Sequence, residues 1–458
     1  MTSNLITLLL AAGQGTRFKS DRIKVLHPIL GKSMIGVVID SITRLHPERV
    51  FIVVGYQKEE VMQSTASPLI EFVHQDKQMG TAHAVMAARS VLERHKEKTL
   101  LVMNGDLPLI RPETLRPLLN RHAKQGNALT FMSAELDDPT DFGRILVEDG
   151  CIRVVEEKEA TSEQRRLKEI NVGIYAFAVE PLLKALPLIS NKNSKGEYYL
   201  TDIMEIMSRQ GHKVGFYRTA HIDEVVGVND RFELARAIQA LRERKIRALS
   251  LKGVSFYDPW STWIDLNVRI GRDTTVYPFV CIEGDSVVGR DCVLYPAVHI
   301  KNSRVGPRAK ILTATSIEES TIRGDASVGP FAHLRPRTMI REQARIGNFV
   351  EMKNTDFGRG SKAGHLSYVG DSQVGTGVNI GAGTITCNYD GKRKNRTIIE
   401  DGVFIGSGSE LVAPVKIGKD AYIGAGSTIT KNVSPESLAV SRSRQVEKTG
   451  WVRRKRKK

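Results

Sequence analysis

Between residues 264 and 429 aliphatic side chains recur in runs at intervals of six, a spacing that no helix can use. Ile264, Ile270, Val276, Ile282, Val288, Leu294 and Ile300 are seven consecutive hits. After a slip of one residue, Val305, Ile311 and Ile317 continue the series. Val328, Leu334, Ile340, Ile346 and Met352 resume it, and Ile399, Ile405, Leu411, Ile417, Ile423 and Ile429 close it. Six helical residues turn through about 600°, so successive hits would point in three directions. An even spacing suits a strand, whose side chains alternate. Polar triplets between the hits (Gly271-Arg272-Asp273, Gly289-Arg290-Asp291, Gly418-Lys419-Asp420) supply turns. The ladder predicts a solenoid of very short strands, each placing one aliphatic side chain inside. At about eighteen residues per coil this makes about nine coils and a prism roughly 45 Å tall. An ordinary β-rich domain would not sustain runs of seven, five and six hits.

Composition narrows the class. With 458 residues the chain can bury two or three cores. No run of eighteen apolar residues and no basic-then-apolar leader is present, so a cytoplasmic protein without a membrane span is expected. Cys151, Cys281, Cys292 and Cys387 form no CxxC pair, and their spacing suggests neither a disulfide framework nor a zinc site. The net charge of +16 raises nucleic acid as a partner. However, residues 442–458 hold nine Lys/Arg against one Glu, hence +8, half of the total. Such a run reads as a solvated tail, and no specific nucleic-acid binding is expected.

The amino-terminal half has a different grammar. Residues 4–10 read as a buried parallel strand that runs into Ala11-Ala12-Gly13-Gln14-Gly15-Thr16-Arg17. A glycine-rich turn after a strand lets backbone N–H groups approach phosphates. Phe18 stands where the dinucleotide-binding pattern needs glycine, and Leu26 where a Walker loop does. Arg17 and Lys24 are two cations beside this cradle, suited to a triphosphate and its transition state. Strands at 50–54, 99–103 and 128–134 alternate with helices at 35–44 and 82–94, which predicts an α/β domain with a mainly parallel sheet. Asn104-Gly105-Asp106 falls at a carboxyl strand end, where ligands bind and a carboxylate can hold Mg²⁺. Beyond it, Asp230 with Glu233 predicts a capped helix with Leu234, Ile238 and Leu241 on its apolar face, and Arg242, Arg244, Lys245 and Arg247 exposed.

Leu10 to Arg17, followed by Lys24, Leu26 and Gly31-Lys32-Ser33-Met34, resembles the signature of sugar-phosphate nucleotidyltransferases. Ile23 and Ser33 replace the prolines usual there, which alters loop stiffness and not charge. The hexad ladder resembles the hexapeptide-repeat acyltransferases, whose fold is a left-handed parallel β-helix. A second constellation surrounds the polar loop Asn388 to Arg396: Arg335, Glu351, Lys353, His365, Tyr368, Asn379, Asn388 and Tyr389. Here a histidine comes with two cations for a phosphate and a carboxylate to orient it, which is what deprotonating the ammonium of an amino-sugar phosphate requires. Thr384-Ile385-Thr386-Cys387-Asn388-Tyr389-Asp390-Gly391 completes the pattern. Over almost its whole length the chain resembles the bifunctional bacterial N-acetylglucosamine-1-phosphate uridyltransferases and glucosamine-1-phosphate acetyltransferases.

That resemblance implies a Rossmann-like α/β nucleotidyltransferase domain over residues 1–229, a helical linker over 230–252, a left-handed β-helix acetyltransferase domain over 253–441 and a basic tail over 442–458. It implies UTP and sugar contacts at Leu10, Ala11, Ala12, Gly13, Lys24, Gln75, Gly80, Thr81, Asn104, Gly105, Asp106, Gly143, Glu156, Asn171 and Asn229, with Mg²⁺ on Asp106 and Asn229. Arg335, Glu351, Lys353, Tyr368 and Asn379 would hold the amino-sugar phosphate, with His365 as base. Ala382, Asn388, Tyr389, Ser407, Ala425 and Arg442 would hold acetyl-CoA. The implied assembly is a homotrimer, and the implied product feeds cell-envelope synthesis. A single-activity hexose-1-phosphate nucleotidyltransferase would not need the His365 constellation, and a non-catalytic scaffold would not need Arg17, Lys24 and Asp106.

Overall fold

The near-continuous aliphatic runs of the first half are stable as strands only when both sheet faces are covered. The structure, a computed structural model, describes residues 4–148 and 151–456. It contains two units, one ending at Leu241 and one beginning at Arg242. In the first unit β1 (Leu5–Leu10), β2 (Arg49–Val54), β3 (Ile70–His74), β4 (Thr99–Asn104), β5 (Leu129–Glu135), β6 (Arg144–Glu148), β7 (Cys151–Val155), β8 (Glu169–Ala178) and β9 (Val214–Arg218) form one sheet. Its main path runs β9-β5-β8-β4-β1-β2-β3. β1 is parallel to β2 and β4, β2 to β3, and β5 to β9. β8 is antiparallel to β4 and β5, and the β6-β7 hairpin branches from it. Alternation sends Leu8, Phe51 and Val102 into one core and Leu9, Ile52 and Met103 into another. The helix expected at 82–94 is broken. Ala88, at φ −81° and ψ 1°, separates Thr81–Ala87 from Arg89–Leu92.

In the second unit strands of two to four residues stack into three parallel sheets of eleven, ten and nine strands. Ile264 pairs with Ile282 and Ile282 with Ile300, eighteen residues apart; Ile300 pairs with Ile317 and Ile317 with Leu334, seventeen apart. All of these side chains are fully buried. The slip in the ladder therefore has a place. The five-residue steps Ile300 to Val305, Ile317 to Ile322, Met352 to Phe357 and Val369 to Val374 all fall at the corner between the ten- and nine-stranded sheets. The polar loop after Cys387 leaves from the same corner. Phe357, Ala363, Val369, Val374, Ile380 and Thr386 fill the apparent gap in the ladder, all buried. The short corners and the Ala and Thr hits hid these rungs from the hexad pattern. Strands run from Ser255–Phe256 to Leu438–Ala439, beyond the 264–429 ladder. Eleven stacked strands span about 48 Å.

Helix α1 (Arg231–Ser250) begins as expected at Asp230, whose Oδ1 accepts the N–H groups of Phe232 and Glu233, both at 2.8 Å. The reciprocal bond differs, since Glu233 accepts from Asn229 N–H and not from Asp230. Two of the cations expected in solvent are not there. Arg242 is buried with its guanidinium 5.8 Å over the Trp263 ring, and Lys245 Nζ donates to the Leu266 and Val268 carbonyls at 2.7 and 2.6 Å. They cover the first coil, whose carbonyls have no preceding rung to pair with.

Candidate active sites

Leu10 and Asn104 are register partners at the carboxyl ends of β1 and β4. The loops that follow therefore open side by side, and Gly105 N–H donates to Leu10 O at 3.0 Å. They border a cleft of about 550 Å³. Leu10 to Gly13, Lys24, Gln75, Gly80, Thr81, Asn104, Asp106 and Glu156 all line it. Lys24 Nζ meets Asp106 Oδ2 at 2.5 Å, while Asp106 Oδ1 is buried without a hydrogen-bond partner. The chain at 227–229 lies against this carboxylate. Val228 N–H donates to Asp106 O at 3.0 Å, and a Cβ on Gly227 would sit 3.4 Å from Oδ1. An orphaned buried oxygen with an amide side chain, Asn229, on the adjacent segment is a donor set of the hard-oxygen type that suits Mg²⁺.

Gly80 has φ +104°, and a Cβ there would lie 2.5 Å from the Tyr198 carbonyl. Only glycine permits this clamp, in which Tyr198 N–H donates to Met79 O, Ala82 N–H to Tyr198 O, and Leu200 N–H to Thr81 Oγ1. Gln75 is buried, with Nε2 2.9 Å from His83 Nδ1. Asn171 N–H donates to Gly143 O at 3.0 Å and its Nδ2 to Tyr175 OH at 2.8 Å. Gly143 and Asn171 thus border the cleft and do not line it. A Cβ on Gly143 would meet Glu156 at 3.7 Å, and one on Gly173 would meet Asn104 Nδ2 at 3.4 Å. Arg17 and Asn229 line an adjoining cleft of about 410 Å³ that shares Glu156, Lys195 and Tyr199 with the first.

Carboxylates crowd this shared wall. Burial raises Glu156 above the ordinary carboxylate range, although the Thr201 hydroxyl donates to it. Asp202 is raised to about 6 by burial and by the charges of Glu159, Glu156 and Glu205. It opens the helix Asp202–Arg209, whose dipole favours a carboxylate, but burial and three like charges outweigh that. Lys195, 5.9 Å over the Tyr199 ring, and Gln78, whose Nε2 donates to Ala12 O at 2.6 Å, belong to the site and escaped the sequence reading. Nothing distinguishes either from an ordinary loop residue in the sequence.

In the solenoid unit Leu334 pairs with Met352, Glu351 with Tyr368 and Lys353 with Gly370 on successive rungs of one sheet. Met352 points inward, so Glu351 and Lys353 face out. Arg335 Nη1 donates to Glu351 Oε1 at 2.7 Å, and the pairing raises Arg335 further. Lys353 is lowered by the adjacent Lys394 ammonium, reached from the polar loop, and then by Arg335. Glu351 and Glu318 act on Arg335 and Asp371 on Lys353, but the like charges of Lys353 and Lys394 stand side by side, a repulsion that an anion would relieve.

His365 is exposed at the end of Lys362–His365, in register with Asn348. Its Nδ1 lies 2.5 Å from Asn348 Oδ1. The carboxylate expected to orient it, Glu351, is instead committed to Arg335. The amide oxygen can only accept, so Nδ1 carries a proton, and in the neutral tautomer this leaves Nε2 as the nitrogen with the lone pair. From His365 a column climbs the same corner. Gly383 N–H donates to Leu366 O, Gly408 to Ala382 O, Gly426 to Ser407 O, and Arg442 Nη1 to Ala425 O at 2.6 Å. Ala382, Ser407, Ala425 and Arg442 therefore stand one per coil beyond His365. Asn379 lies half-buried in the strand before Ala382. Asn388 and Tyr389 sit at a different corner. Asn388 Nδ2 donates to Asp371 Oδ2 at 2.6 Å and to Tyr368 OH at 3.4 Å, while Tyr389 is exposed and donates to Gly391 O.

Comparison with known proteins agrees with both halves. Residues 6–266 match the nucleotidyl transferase family and residues 396–431 the bacterial transferase hexapeptide family, with six repeats. The chain is 47% identical over 450 residues to the "Bifunctional protein GlmU" of Thermotoga maritima, covering 98% of this chain and 99% of that one. It is 45% identical over 449 residues to the protein of that name from Geobacillus sp. strain WCH70, covering 98% and 97%. Similarity sustained through both units, over relatives matched nearly end to end, shows that the chain belongs to the family of bifunctional GlmU proteins.

Proposed function

We propose that the two constellations divide the two activities of this bifunctional enzyme of UDP-N-acetylglucosamine synthesis between residues 253–441 and 1–229, with 230–252 as linker and 442–458 as basic tail. In the solenoid, Arg335 and Lys353 hold the phosphate of glucosamine-1-phosphate, with Lys394 adding charge. His365 Nε2 accepts the proton as the amine attacks the thioester of acetyl-CoA, and Asn348 holds the ring in the tautomer that leaves Nε2 free. Ala382, Ser407, Ala425 and Arg442 carry acetyl-CoA along the corner, with Asn388 and Tyr389 contacting it from the polar loop, and Tyr368 and Asn379 contact the amino sugar. The arrangement carrying this reading is His365, its Nδ1 occupied and its ring exposed, between the cationic face and that column.

In the amino-terminal unit the glycine-rich loop and Gly80-Thr81 hold UTP, with Gln75 on the base. Gly143, Glu156 and Asn171 border the sugar. The N-acetylglucosamine-1-phosphate oxygen attacks the α-phosphorus in line and pyrophosphate leaves. Lys24 and Arg17 take up the charge that develops. Asp106 and Asn229 would hold Mg²⁺, which supplies charge neutralisation on the phosphates when bound. Lys24 pairs with Oδ2 of Asp106, which leaves Oδ1 as the atom that would hold the cation. The protein is a homotrimer through the β-helix and works in the cytoplasm, supplying peptidoglycan and lipopolysaccharide synthesis. No helix among the described residues is long and apolar enough to cross a membrane.

One assay tests the division. Acetyl-CoA, glucosamine-1-phosphate, UTP and Mg²⁺ are supplied together, and free thiol and pyrophosphate are followed. His365→Ala should cut thiol release by about 10²–10⁴-fold. Pyrophosphate release from supplied N-acetylglucosamine-1-phosphate should be unchanged. Near-normal thiol release in a folded variant would remove His365 from the role of base.

A further inference from the structure

Cys281, Glu283 and His299 lie apart from both sites. Strands Cys281–Glu283 and His299–Lys301 are adjacent parallel rungs, with Cys281 opposite His299 and Ile282 opposite Ile300. Ile282 and Ile300 are fully buried, so alternation turns Cys281, Glu283 and His299 onto one outer face. Each is half-buried, and one ligand atom from each lies within 4.8 Å of the other two. His299 Nε2 is 2.6 Å from Glu283 Oε2. Asp265 on the preceding rung adds a carboxylate, anchored by Gly284 N–H at 2.8 Å, and Lys301 is the register partner of Glu283. The grouping is local. On the next rung Ser316 stands opposite His299, and no sulfur recurs there.

We infer that Cys281, Glu283 and His299 form a binding site for a divalent cation of the zinc class, which pins two neighbouring coils together. Thiolate, imidazole and carboxylate make a mixed sulfur, nitrogen and oxygen set, which selects zinc-like ions over Mg²⁺. Bond lengths of about 2.0–2.3 Å place tetrahedral ligand atoms about 3.3–3.8 Å apart. Side-chain rotation on rungs already fixed by the ladder closes the remaining distance. On binding, the Cys281 thiol releases its proton to solvent, a neutral His299 ring nitrogen donates its lone pair, and a Glu283 oxygen takes the third position. The fourth stays open to water. Glu283 and Asp265 supply the negative field that a doubly charged ion requires. This differs from the all-oxygen set at Asp106 and Asn229, so the two sites sort different ions.

The full-length protein, stripped with a chelator and kept free of Mg²⁺, is titrated with Co²⁺. A thiolate-to-cobalt charge-transfer band should saturate at about one equivalent per chain and be displaced by Zn²⁺. The Asp106 site has no sulfur and cannot produce it. Cys281→Ser should abolish the band, His299→Gln should weaken Co²⁺ binding at least tenfold, and Cys387→Ser should leave both unchanged. Zn²⁺ should raise the thermal midpoint of the natural protein and not that of Cys281→Ser. Serine already occupies the equivalent outward position two rungs on, at Ser316, so the variant is expected to fold, and circular dichroism checks that. Absence of the band in the natural protein, its persistence in Cys281→Ser, or its loss in Cys387→Ser would each overturn the inference.

Discussion

Asn348→Ala isolates the hydrogen bond that positions His365. The bond runs from Nδ1 to Asn348 Oδ1 at 2.5 Å between adjacent rungs. In the ground state the ring is neutral, and such a bond is worth about 0.5–1.5 kcal/mol net. As the ring takes the amine's proton the donor becomes charged, and the bond rises to about 1.5–3 kcal/mol. Only the difference appears in the rate. His365 is exposed, which favours the low end, so about 1 kcal/mol is lost, or about a fivefold fall in kcat. KM for the sugar phosphate should hold, since Arg335 and Lys353 are untouched. Asn348→Asp keeps an acceptor and should recover most of the rate. The decisive measurement is a double-mutant cycle on thiol release. In a His365→Ala background, Asn348→Ala should cost nothing further. An equal loss in both backgrounds would mean that Asn348 acts on the fold or on substrate, and the tautomer argument would fail.

Three further outcomes follow from particular residues. Asp106→Ala removes the carboxylate with the orphaned buried oxygen and should lower pyrophosphate release by at least about 10²-fold, by analogy with loss of an electrostatic stabiliser; thiol release measured in the same sample should be spared. A fragment of residues 242–458 should unfold at a higher temperature than one of 251–458, because only the former keeps Arg242 over Trp263 and Lys245 on the first coil's carbonyls; both should be trimeric by light scattering and retain acetyl transfer, and equal melting temperatures would discount the cap. His122 is buried, 3.2 Å from Thr130 Oγ1, and burial lowers it to about 4. The unfolded chain binds that proton from about pH 6.5 downward, so stability of the first unit falls as pH drops from 6.5 to 4, by about 2 kcal/mol at pH 5; denaturant unfolding of His122→Leu should show a flatter pH profile.

Much of this molecule is local in origin. A period of six forces strands and turns, whatever surrounds them, because only an even spacing keeps one face inward. The aliphatic run before Gly13 likewise demands a buried parallel strand, and Asp106 ends another. These facts, with the charges at Arg17, Lys24, Arg335 and Lys353, were legible in the residues alone. What the pattern could not place was the five-residue corner, because shortening one side of a coil changes phase without changing composition. Nor could it find rungs built on Ala363 and Thr386, which bury small or polar groups where the ladder predicts aliphatics.

Other features exist only once the coils are stacked. Asn348 and His365 are seventeen residues apart and become hydrogen-bonded neighbours through one turn of the solenoid. Glu351, from its position the natural partner of His365, is claimed by Arg335 one rung away. Lys394 returns from an excursion in the loop to stand beside Lys353. Cys281, Glu283 and His299 follow no metal-binding spacing, yet a coil of eighteen residues lays one rung on the next and draws their ligand atoms together. Local sequence determines which way each side chain points. The length of a coil determines which side chains meet, and that length emerges only when every rung has found its partner.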